Sequence, residues 1–157
     1  MFALQEITVN HALQRLADQL QLDAAAHDRL RLAFGHACAL RVRHLLEQQP
    51  VVACLDGLGR YLDGSADRSS VEHLAAEAAL LARRHEGSRS IDGCGHAAVS
   101  ATCAVAQALA GKPLTAAAYA AYASVYAQGG YGAVADPESF EPEFAWQVGY
   151  LSALVGA

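Results

Sequence analysis

From Gly93 to Gly111, and again from Leu114 to Gln128, the chain carries no formally charged side chain. On either side of these runs apolar residues recur every three or four positions, the spacing of one helix face. After Asn10, Leu13, Leu16, Ala17 and Leu20 share a face while Asp18 and Gln19 lie outside it, which predicts a short first helix. Asp23 then reads as the cap of a long helix running to about Gln49. Ala26, Leu30, Ala33, Phe34, Ala37, Leu40 and Leu45 form its main stripe, and Ala39, Val42 and Leu46 a second. Pro50 suits the first turn of a third helix, through Leu55, Leu58, Tyr61 and Leu62 to Gly64, in which Gly57 and Gly59 permit close contact with a neighbour. Ser69 and Glu72 have capping-box spacing. The helix they open carries Val71, Leu74, Ala75, Ala78, Leu81, Ala82 and His85 on one face and ends at Gly87.

Ser88–Asp92 is a polar connection into the uncharged runs. Alanine is the best helix former and glycine a poor one, so the first run reads as a helix frayed at Gly93 and Gly95 and stopped at Gly111. The second starts with Thr115 as its cap and stops at Gly129-Gly130. Small side chains bury little area each but let backbones approach closely, which makes this pair the centre of a bundle. The stretch QGGYGAVADPESFEPE lacks periodicity and reads as an acidic loop with one helical turn near Pro137. A last helix from about Pro142 places Trp146, Tyr150 and Ala153 on one side and Val148, Leu151 and Val155 on another. The pattern predicts an all-α fold: a single domain, 1–157, of six to seven helices around an Ala-rich central pair, with residues 1–21 as an N-terminal brace and 22–157 as the bundle.

Composition narrows the function classes. The 157 residues are 54% hydrophobic and carry a net charge of −5, and a folded chain of this length buries roughly 68–70% of its extended surface. Lys112 is the sole lysine, which argues against nucleic-acid binding, since a phosphate-reading surface needs clustered bases. Ten Arg face eleven acids up to Ser90, whereas beyond it Lys112 faces Asp92, Asp136, Glu138, Glu141 and Glu143. The start lacks a basic segment followed by an apolar core, so no signal peptide is expected, and the four cysteines are expected to be reduced, in the cytoplasm. His, Gln, Ser and Thr make the run 93–111 too polar for a membrane span.

No catalytic set emerges, and no cofactor is expected. His36 and Cys38 lie about 200° apart on a helix and cannot chelate one ion together. Cys94 and His96 would need distant partners for a metal, and for thiol chemistry they lack an orienting Asn or Asp. No metal ligand is therefore assigned, and the cysteines read as small apolar fillers. No glycine-rich phosphate cradle follows a strand, and the Glu-x-x-His of a di-iron bundle is missing. Tyr119, Tyr122 and Tyr126 form a stripe that fills the gaps between alanines, the alternative being a partner-facing surface. Arg41 falls inside an apolar stripe with His44 near it, so it must find a carboxylate or several carbonyls, an internal ion pair being favoured over a ligand-anion site.

The helix CALRVRHLLE (Cys38–Glu47), the proline and helix ending YLDG, the capped SVEHLAAEAALLARR, the Ala-rich pair closing in AAAYAAYA, and FAWQVGYLSAL follow one another in order. Over about Leu22 to Leu154 they resemble an all-helical, Ala-rich immunity protein family of bacterial polymorphic-toxin and interbacterial-competition systems. Cys38, Arg41, Trp146 and Gln147 are the least generic anchors and are expected to be structural. The resemblance implies a non-catalytic protein that binds and neutralises a cognate toxin in the cytoplasm. The toxin-facing surface expected by charge complementarity to a basic toxin is Asp136, Glu138, Glu141 and Glu143 with the neighbouring aromatic Tyr131. Two rival readings stand beside it: a small enzyme or ligand-binding bundle with a pocket near Arg41, His44 and His85, and a scaffold that forms a homodimer through its last helix.

Overall fold

The computed structural model describes residues 8–85 and 94–156. These form seven α-helices, α1 (His11–Leu20), α2 (Asp28–Leu40), α3 (Gln49–Leu62), α4 (Arg68–Arg84), α5 (Cys94–Leu109), α6 (Pro113–Ala135) and α7 (Glu141–Gly156), with no strand among the described residues. The fold is an all-α, single-domain helical bundle. The expected helix end at Gly87, the connection 88–92 and the fraying at Gly93 lie outside the described residues.

Helices α5 and α6 pack along each other at the centre, with α2, α3 and α4 against α5, and α2 and α7 against α6. Ala97, Ala101, Ala104 and Ala108 of α5 and Ala116, Ala117, Ala120, Ala121 and Ala123 of α6 are at most 1% exposed. A helix that is apolar all round belongs inside a protein, and this pair is inside. Close approach is visible where α2 crosses α5. A Cβ at Gly35 would lie 3.1 Å from the Ala108 Cα, so a methyl fits there only if α2 and α5 part by a few tenths of an ångström. Gly57 likewise abuts Leu74 of α4, and Gly59 abuts His36 of α2, the contacts that weak helix formers in α3 led one to expect.

The long helix expected from Asp23 to Gln49 is shorter and begins later. Gln21, in the left-handed conformation at φ 52°, closes α1, with the Leu22 N–H bonded to the Ala17 carbonyl at 3.0 Å. Arg31 of α2 donates to the Leu22 and Ala24 carbonyls at 2.8 and 2.7 Å, which satisfies the connection that periodicity had absorbed into the helix. At the other end Leu40 is the last α-helical residue. Val42 turns fully into the core, and a 3₁₀ turn follows at Arg43–Leu45.

Three caps also differ from expectation. Asp67, rather than Ser69, accepts from the Ser70 N–H at 3.0 Å and starts α4 two residues early. Lys112 precedes Pro113 at the head of α6, where Pro needs no N–H partner, so Thr115 is already helical. Most consequentially, α6 does not stop at Gly129-Gly130. Gly130 takes φ 64° and ψ −149°, bends the helix, and lets it continue to Ala135. Much of the expected acidic loop is thus ordered structure: the end of α6 and a 3₁₀ turn, Pro137–Phe140, anchored by the fully buried Phe140. Residues 131–135 span too few turns for a period to show.

Candidate functional site

The chain after the Gly130 bend carries the expected partner-facing residues. Tyr131 is 67% exposed, the most exposed large hydrophobic side chain among the described residues. It is nonetheless held. Its hydroxyl lies 2.9 Å from His96 Nε2 of α5, and its ring packs edge-on to Tyr126 at 5.0 Å between centroids. Tyr126 in turn is 1% exposed, with burial pushing its phenol up, and packs on His96 and Tyr122 at 5.0 and 5.6 Å. Tyr119, Tyr122 and Tyr126 therefore fill the core, as the space-filling reading has it, whereas Tyr131 projects from the same aromatic cluster.

Asp136, Glu138 and Glu141 are exposed around the 3₁₀ turn. Asp136 also caps that turn, accepting from the Glu138 N–H at 3.1 Å, so its carboxylate is fixed. Glu143 departs from the exposed acidic surface expected for it. It is 8% exposed and turned inward, and both its oxygens accept from Arg41, Nε at 3.1 Å and Nη2 at 2.8 Å. The acidic surface is three carboxylates, not four.

The four anchors converge on this same end of α7. The guanidinium of Arg41 stacks 4.2 Å from the centroid of Trp146, which itself stacks on Tyr150 at 5.0 Å. The hydrogen bond that Arg41 donates to Glu143 is the main reason its cation is held still more firmly than usual. Cys38 is fully buried one turn before Arg41; burial, then the Glu143 carboxylate, pushes its thiol far up. Gln147, 1% exposed, donates to the Ala117 carbonyl of α6 at 2.9 Å and accepts from Asn10 Nδ2 at 3.1 Å. Asn10 was legible only as a helix start. Its Oδ1 caps α1 at the Leu13 N–H while its amide ties α1 to α7, a double use no spacing rule reveals.

The pocket expected near Arg41, His44 and His85 is realised in part. An open cleft of ≈ 530 Å³ is lined by Arg41, His44, Ser124, Gln128 and Glu143, among others. His85 does not line it. That side chain, 7% exposed, sits 3.8 Å from Glu47. Of the other candidate chemistry, Cys54 is pushed up to about 11 by burial and then Glu77, and Cys103 is raised by burial. His36, half-buried, is lowered by desolvation. The Cys94 side chain lies outside the described residues. Among the described residues no group of three His, Cys, Asp or Glu is placed to hold a metal, and no helix is long and apolar enough to cross a membrane. Compared with known proteins, the chain matches no family model, no curated protein and no solved structure.

Proposed function

We propose that this chain is an immunity protein, a stoichiometric, non-catalytic inhibitor that binds a bacterial toxin in the cytoplasm of the producing cell. The observation that carries the reading is the tethered exposure of Tyr131 beside Asp136, Glu138 and Glu141. A large aromatic ring is presented to solvent, yet held by His96 and Tyr126, so little freedom remains to be lost on binding. No Lys or Arg occurs beyond Lys112, so Asp136, Glu138 and Glu141 have no basic neighbour along the chain, and the Arg41 cation nearby is paired with Glu143. Such a surface suits a basic partner: the aromatic supplies a buried anchor, and the acids steer the approach. The segment's capped turn and its Phe140 anchor keep the acids in place before the partner arrives.

The test is rescue. A toxin gene is sought beside the one that encodes this chain and is expressed in a sensitive cell with and without the protein, and the two are co-purified. Survival with a stable complex supports the proposal; death despite full-length, folded protein removes it. Tyr131→Ala should then weaken the complex by roughly 2 kcal/mol, the size expected of a central aromatic anchor.

A further inference from the structure

We propose that the cleft beside Arg41 is a recognition site for a single carboxylate group. Arg41 is prepared for this by its neighbours. Nε and Nη2 serve Glu143, and one face of the guanidinium rests on Trp146, so the fork cannot swing. Its Nη1 makes no hydrogen bond among the described residues, and Arg41 lines the cleft. A guanidinium has five N–H donors in a fixed plane, so its remaining edge can take a second carboxylate after the first.

The rest of the lining is also rich in donors. Gln128 Nε2 gives one proton to Ser124 Oγ at 3.3 Å, which leaves its second amide proton and the Ser124 hydroxyl proton, and His44 is exposed on the facing 3₁₀ turn. Both Glu143 oxygens are committed to Arg41, so the cleft offers a cation little. Because Glu143 offsets the charge of Arg41, net charge selects neither a monoanion nor a dianion, and the choice falls to the planar, side-by-side fit of a carboxylate on the free guanidinium edge. One planar carboxylate group fits that donor geometry. This inference does not rest on the toxin-binding reading, since Tyr131 and the acidic turn take no part in it. The carboxylate has two sources, a free small acid or an acidic side chain of a protein.

The experiment follows the Arg41 Nε–H, the Trp146 indole N–H and the Gln128 side-chain amide of the full chain by proton–nitrogen NMR. Butyrate and N-acetyl-aspartyl amide, each carrying one carboxylate, are titrated separately against sodium chloride at equal ionic strength, with inorganic phosphate as a third ligand. Saturable shifts confined to the cleft are expected. Gln128→Glu, an exposed position, should weaken them roughly tenfold, and His44→Ala should weaken them less. Gln19→Glu on α1, which adds the same charge elsewhere, should leave them unchanged. Tighter binding of butyrate supports the proposal with a free acid as the source, and tighter binding of the blocked aspartate supports it with a protein side chain. Shifts no larger than those from chloride, saturation untouched by Gln128→Glu, or a preference for phosphate over both acids would each overturn it.

Discussion

Arg41 and Glu143 are unequal partners, and the inequality is measurable. The Arg41 side chain is 40% exposed and that of Glu143 9%. Truncating the arginine leaves a buried carboxylate without its donors, whereas truncating the glutamate leaves a cation that can reach water. Arg41→Ala should therefore cost about 3 kcal/mol in denaturant unfolding and Glu143→Ala about half as much, the exposed guanidinium limiting both values. Equal losses would mean that the pair is solvated to the same degree on both sides. The half of this contact legible in the chain was Arg41, because a guanidinium within an apolar stripe demands a partner. Glu143, 102 positions away, was not legible, and charge counting placed it on the surface with its acidic neighbours. The thiols give a second check at this level. With Cys38, Cys54 and Cys103 buried and all three shifted upward, three of the four cysteines should stay unreactive toward a thiol-specific disulfide reagent at pH 8 until guanidinium unfolds the chain. Rapid modification of a second thiol in the native protein would contradict that packing.

The helices divide into those that announce themselves and those that packing edits. Helices α1, α3 and α7 begin within a residue or so of the signals at Asn10, Pro50 and Pro142, because caps and prolines act over three or four residues. The run taken as one helix from Asp23 became a later, shorter α2, since its ends are settled by Arg31 reaching two carbonyls and by Val42 entering the core. The pair Gly129-Gly130 read as a terminator, although glycine also permits a bend when both flanking pieces are held by others. Here Tyr126 and Tyr131 hold one side and Phe140 the far end of the turn beyond it. The φ of 64° with ψ −149° at Gly130 is close to exclusive to glycine. Gly130→Ala should cost about 2 kcal/mol and loosen Tyr131, seen as lost dispersion of its ring resonances in NMR. Gly35→Ala tests the other use of glycine. Its new methyl would press the Ala108 backbone at 3.1 Å, and a loss of about 1–3 kcal/mol is expected unless α2 and α5 can part.

Across the whole molecule, charge and packing are separated along the chain. All ten arginines precede Lys112, several in ion pairs such as Arg43 with Asp56 and Arg68 with Asp28, while everything beyond Lys112 is neutral or acidic. For Asp28 the Arg68 hydrogen bond lowers the carboxyl below its ordinary value. Its contribution is present above the unfolded-state value and lost as pH falls through the lower folded one, so Arg68→Ala should flatten the acid limb of the stability curve. The proposed interface makes its own demand. Reversing Asp136, Glu138 and Glu141 to Lys should slow association with a basic toxin by at least about tenfold at low salt and invert its salt dependence, leaving unfolding midpoints close to wild type except for the lost Asp136 cap. Unchanged association kinetics would remove the acidic surface from the proposal while leaving Tyr131 to be tested alone.

Local period and composition were enough to determine that the chain is all-helical and that two uncharged, alanine-rich helices lie at its centre, because a helix with no polar face has no stable position except inside. They favoured a core place for the tyrosine stripe of α6, and the packing decided it. The tertiary structure alone decided which carboxylate meets Arg41, that Gln147 and Asn10 bind three helices together, that His85 stands apart from the cleft, and that Tyr131 is both exposed and held. The division has a physical cause. A helix face is fixed by residues three and four apart, whereas a bond between residues a hundred positions apart exists only once the surfaces carrying them have packed.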